Sequence, residues 1–115
     1  MIVHRTLANC LQNITTMDHR IGRVLEMMTQ HGYQGNLLFL YTIDHGSEWL
    51  HCKWTIYDTG TRVPMIARWF STIQSSQVSA AVVSNIDLLP TLIEIAGGEV
   101  PTDLDGQSFK QVLLG

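Results

Sequence analysis

The sequence predicts an α/β fold, a small parallel or mixed sheet flanked by helices, and three observations carry that prediction. A long helical stripe opens the chain. Two short apolar runs follow, at 36–43 and 62–69, and a second helical segment then closes on a glycine pair at 97–98. Helices alternating with buried strands are the pattern of layered α/β domains.

Each element has its own signal. Between Thr6 and His31, the residues Leu7, Leu11, Ile14, Met17, Ile21, Val24, Leu25 and Met28 recur at steps of mostly three and four. That spacing draws one face of an amphipathic helix, and Gly32 supplies its stop. Asn36 to Ile43 reads NLLFLYTI, a nearly continuous apolar run that suits a strand covered on both faces, as in a parallel sheet. It ends abruptly in Asp44-His45-Gly46, and open α/β sheets bind ligands just past the carboxyl ends of their strands. Ser47 to Gly60 is irregular and reads as a loop with one helical turn. Arg62 to Trp69, RVPMIARW, is the second strand, with Pro64 at its start or on an edge. Val78 to Val83 reads as a short extended segment. SNIDLLPTLIEIAGG is a helix with Pro90 in its first turn and Gly97-Gly98 at its end. The tail is a loop and a short helical piece. The expected core is a sheet of residues 37–43 and 63–68, with helices 6–31 and 87–97 packed on it.

Composition narrows the function classes. The 115 residues suit one domain, and 45% hydrophobic with 15% charged residues is a globular composition. Seven scattered Lys and Arg and a net charge of -3 lack the clustered basic footprint of a nucleic-acid binder. No apolar run is long enough to span a membrane, and MIVHRTLANC does not read as a signal peptide. Cys10 and Cys52 lack CxxC metal spacing and are expected to be free thiols.

Asp44 and His45 are the first candidates for chemistry. A carboxylate oxygen and an imidazole nitrogen at a strand end can reach one divalent cation, and Gly46 permits the tight departure. A plain turn after the strand uses the same residue types. Lys53, between Trp49 and Trp54 in the loop, can set a point charge on an anionic group or stand as a solvated surface lysine. His51 is open between ligand and surface residue. Asp87 reads as a helix-capping group, and Asp103 and Asp105 as turn residues beside Gly106.

The order of these segments is more specific than any one of them. MDHRIGRVLEMM, the buried strand, DHG, KWTIYDTGTRVPMIARW and VSNIDLLPTLIEIAGGEVPTDLDGQSF follow one another over nearly the whole chain. The series resembles the sulfatase family of the alkaline-phosphatase-like superfamily, and GSEWLHCKWTIYD is most similar to its bacterial branch related to heparan N-sulfatases. The resemblance implies a partial sulfatase fold, residues 1–115 forming the C-terminal portion of a catalytic domain. It implies that Asp44 and His45 are a pair of metal ligands, usually for Ca²⁺, and that Lys53 contacts the sulfate. The family reaction is hydrolysis of a sulfate ester or sulfamate on sugar or aryl sulfates. Its nucleophile is a formylglycine made from Cys in a C-x-P-x-R motif, but here LQNI follows Cys10 and KWTI follows Cys52. The expectation is therefore half a site, inactive alone and binding Ca²⁺ weakly or not at all. Apolar surface left without a partner is expected to drive homo-oligomers. A stand-alone binding module on the same fold, and a phosphatase- or phosphodiesterase-like hydrolase, are the alternatives.

Overall fold

In a computed structural model, residues 2–115 are described, with the side chains of residues 2–5 and of Gln34 outside the description. The chain divides into two compact units, the first ending at Leu37 and the second running Leu38–Gly115.

The first unit is one long helix and its stop. α1 spans Ile2–Gln30. Leu7, Leu11 and Ile14 of its apolar stripe are exposed, while Ile21, Leu25 and Met28 are half-buried. Three threonines on its surface turn back onto the helix, Thr15, Thr16 and Thr29 each donating to the carbonyl four residues earlier. Such back-bonding satisfies a hydroxyl without interrupting the ladder. The helix stops where the glycine was expected. Gly32 has φ 76° and donates its N–H to the Thr29 carbonyl at 3.1 Å. A side chain there would be strained, so Gly is the residue that can end the helix in this way. A single 3-10 turn, Tyr33–Gly35, leads out.

The second unit is built on a two-stranded sheet. β1 is Leu38–Thr42 and β2 is Met65–Trp69, immediately after Pro64. They pair antiparallel, Leu38 opposite Trp69 and Thr42 opposite Met65. This corrects the expected parallel or mixed sheet. A parallel pair needs a crossover, usually a helix, between its strands. The segment joining β1 to β2 carries only the four-residue α2, Asp58–Thr61, so the chain turns back rather than crossing over. The burial of β1 is also partial, half-exposed at all five positions, and β2 alternates half-buried and exposed residues. Val78 to Val83 forms no strand. Among the described residues it has no pairing partner, and Val78 and Val82 are almost fully exposed.

A 3-10 turn, Asn85–Asp87, then opens α3, Leu88–Ile95, with Pro90 inside its first turn. Asp87 makes no side-chain cap bond to α3 itself; it is the reciprocal partner in a capping box at Ser84, its carboxylate accepting the N–H of Ser84 at 2.8 Å and that of Gln107 at 2.8 Å. One side chain thus fastens the helix start to the tail. A Cβ on Gly106 would overlap the Ile86 carbonyl, which is why the LDG segment can close over this turn. Thr91 is fully buried; it donates to the Asp87 carbonyl at 2.6 Å and accepts from the N–H of Phe109, which is itself buried. Lys110 Nζ reaches the Glu94 carbonyl, so α4, Lys110–Leu114, lies against α3. The main partners of α3 are therefore α4 and the preceding turn, not the face of the sheet as expected.

Candidate functional site

β1 delivers Asp44 and His45 at its carboxyl end, and the end itself is pinned from α3's side. Asn85 Nδ2 donates to the Ile43 carbonyl at 3.0 Å, and Thr42 Oγ1 donates to Asn85 Oδ1 at 3.1 Å. Asn85 thereby fixes the residue immediately before Asp44. Nothing in the sequence pattern singled it out, since Asn at a helix start reads as an ordinary turn residue.

The two candidate metal ligands touch each other. Asp44 Oδ1 accepts the backbone N–H of His45 at 3.0 Å, and Asp44 Oδ2 lies 3.3 Å from His45 Nε2. His45 Nδ1 is 2.7 Å from the Gly46 carbonyl. A carbonyl can only accept, so Nδ1 carries a proton and Nε2 faces the carboxylate. Nε2 and the carboxylate are thus both free to act as ligands toward one metal ion. The Nδ1–carbonyl bond is also the usual way a ligating imidazole is oriented. The Asp44 side chain is 84% exposed, so its oxygens are open to an ion. Asp44 and His45 therefore fit as part of a coordination shell. They are not a whole one: among the described residues, no three His, Cys, Asp or Glu converge, while Ca²⁺ takes ~6–8 ligands.

Gly46 then folds the loop back. Its N–H donates to the Gly60 carbonyl at 3.0 Å, and a Cβ there would overlap the Thr59 carbonyl. The loop is tied further by Lys53 N–H to the Ser47 carbonyl, 2.8 Å, and by Thr55 Oγ1 to the carbonyls of His51 and Cys52. Thr59 Oγ1 adds a bond of 2.5 Å to the His51 carbonyl. Arg62 pairs with Asp58 at 3.4 Å across α2, a solvent-exposed contact of structural kind.

Lys53 is thus joined to the Asp44–His45 end through backbone, by way of Ser47 and Gly46. Its ammonium is paired with Glu48 Oε1 at 3.3 Å and stands 5.8 Å from the centre of the Trp54 ring. Glu48 is a residue that sequence reasoning missed, because a contact across five loop residues has no periodicity to betray it. His51 turns its ring edge-on to Tyr57, 4.9 Å between centroids, in a packing arrangement. Both cysteines are free.

Comparison with known proteins adds the lineage. The sequence model of the sulfatase family matches residues 4–98. The chain is 36% identical over 111 residues to an ulvan-active sulfatase of Formosa agariphila, covering 96% of this chain and 22% of that protein. It is 33% identical over 108 residues to an N-acetylglucosamine-6-O-sulfatase of Bacteroides thetaiotaomicron, covering 90% of this chain and 19% of the relative. A solved structure, of a protein in complex with its substrate D-glucosamine-2-N,6-O-disulfate, superposes with a TM-score of 0.80 at 32% identity. It covers 89% of this chain and 22% of that one. The chain spans about a fifth of the length of these relatives.

Proposed function

This chain belongs to the sulfatase family and carries part of its alkaline-phosphatase-like fold, and from that premise we propose that it supplies one side of a site hydrolysing sulfate esters or sulfamates of sugars. The observation that supports the reading most is local: Asp44 and His45 meet 3.3 Å apart at the end of β1, and the loop ties the Lys53 backbone back to Ser47.

Asp44 and His45 would hold Ca²⁺, with Asn85 and the Gly46 carbonyl keeping the pair oriented. The ion, when bound, supplies positive charge against the sulfate oxygens. Lys53 presents an ammonium to the same anion. At rest Glu48 occupies that ammonium, so sulfate must share or displace it. Hydrolysis also needs a nucleophile. The C-x-P-x-R motif that forms it in the family is not among these 115 residues. The chain alone is therefore expected to hold substrate groups without turning them over. The sugar substrate class rests on the names of the relatives, which act on ulvan and on N-acetylglucosamine 6-O-sulfate.

The test is hydrolysis of a chromogenic aryl sulfate and of N-sulfated glucosamine by the 115-residue chain, with and without Ca²⁺. No turnover is expected. Turnover that disappears on Asp44→Ala or Lys53→Ala would overturn the half-site and point to another nucleophile in the chain.

A further inference from the structure

We infer that Trp54 is the platform on which the pyranose ring of a sulfated substrate stacks, beside the lysine that holds its sulfate. The inference rests on the assignment of Lys53 to sulfate, and extends it to the sugar.

Three features of Trp54 converge. The residue is 91% exposed, yet it follows Lys53, whose side chain is only 27% exposed. Its backbone lies at φ 66°, a left-handed conformation that is an outlier for a bulky residue and persists only where the surroundings impose it. The surroundings do so here. Lys53 N–H is tied to Ser47, Thr55 N–H to the Cys52 carbonyl, and Thr55 Oγ1 to the His51 and Cys52 carbonyls. An exposed indole is thus held outward by a braced loop.

The third feature is its neighbour. Lys53 Nζ stands 5.8 Å from the ring centre. A ligand that uses both must carry an anion and an apolar face close together. A sulfated pyranose does so: the sulfate is negative, and the C–H groups of one ring face suit the electron-rich face of an indole. Inorganic sulfate has the charge without the face, and unsulfated glucosamine the face without the charge. The three ligands therefore separate the two residues.

The experiment titrates glucosamine 6-sulfate, glucosamine and inorganic sulfate onto the 115-residue chain, following the indole N–H resonances. Trp54→Ala should weaken glucosamine 6-sulfate about five- to ten-fold and leave inorganic sulfate within about two-fold. Trp54→Phe should recover most of the loss. Trp54→Gly removes the ring while suiting the left-handed backbone, and should behave as Trp54→Ala does. Lys53→Ala should weaken both sulfated ligands. Equal loss of sugar sulfate and inorganic sulfate in the Trp54 variants would make the indole a mere support for Lys53 and overturn the inference, as would no loss at all. If Lys53→Ala leaves sulfate binding intact while the Trp54 variants lose the sugar, the stacking stands and the sulfate assignment falls. If none of the three ligands binds, both assignments fall.

Discussion

Glu48 sits where an anion approaching Lys53 would meet a negative charge. The pair is separated by 3.3 Å and Glu48 is largely exposed, so the attraction is modest and screened. Its removal should nevertheless favour a sulfate. Glu48→Gln is expected to tighten inorganic sulfate binding about two- to five-fold, by calorimetry at low salt. Weaker binding would mean that Glu48 aids the ligand and does not compete with it. Asp44 and His45 make the opposite kind of statement. Two ligands do not fill a calcium shell, so the chain should show no saturable Ca²⁺ binding below about 1 mM. A micromolar site abolished by Asp44→Ala would show that further ligands converge there. Gly46 carries the geometry of all three residues. Gly46→Ala forces a methyl group into the Thr59 carbonyl and is expected to cost about 1–3 kcal/mol, read as a lowered midpoint in urea unfolding.

The elements divide into those whose cause is local and those whose cause is not. α1, the Gly32 stop and the Pro90 entry to α3 were legible because periodicity and backbone chemistry act within a few residues. The direction of strand pairing was not. NLLFLYTI reads as a strand either way, and only the lack of a crossover helix between Ile43 and Pro64 makes it antiparallel. Val78 to Val83 misled for a related reason: β-branched residues favour a strand, but a strand needs a partner, and none among the described residues pairs with this segment. At the site, Asp44, His45 and Lys53 stood out by residue type and order, whereas Glu48 and Asn85 became visible only through contacts across a loop and between distant segments. Thr91 belongs with them. Its hydroxyl joins the α3 entry to the tail in a fully buried place. Thr91→Val keeps the shape but strands the Phe109 N–H. It should destabilise the chain by about 1–3 kcal/mol in urea unfolding, and Thr91→Ser should retain most of the stability.

At the scale of the molecule, much apolar surface is left uncovered. Leu7, Leu11 and Ile14 are exposed on α1, and Leu50, Ile56, Val78 and Val82 in the second unit. Exposed aliphatics of this extent favour association. Sedimentation should show dimers or larger species that shift toward monomer on Leu11→Glu, and a strict monomer at all concentrations would contradict this. If Asp44 and Lys53 are one half of a sulfatase site, the other half should restore turnover. The measurement is made on a polypeptide in which a family segment bearing C-x-P-x-R precedes this chain. Activity on N-sulfated glucosamine is predicted to appear. Asp44→Ala and Lys53→Ala should each lower kcat/KM by about 100-fold or more, while Cys52→Ser leaves it largely intact. Full activity in either of the first two variants would mean that Asp44 and Lys53 lie outside the site.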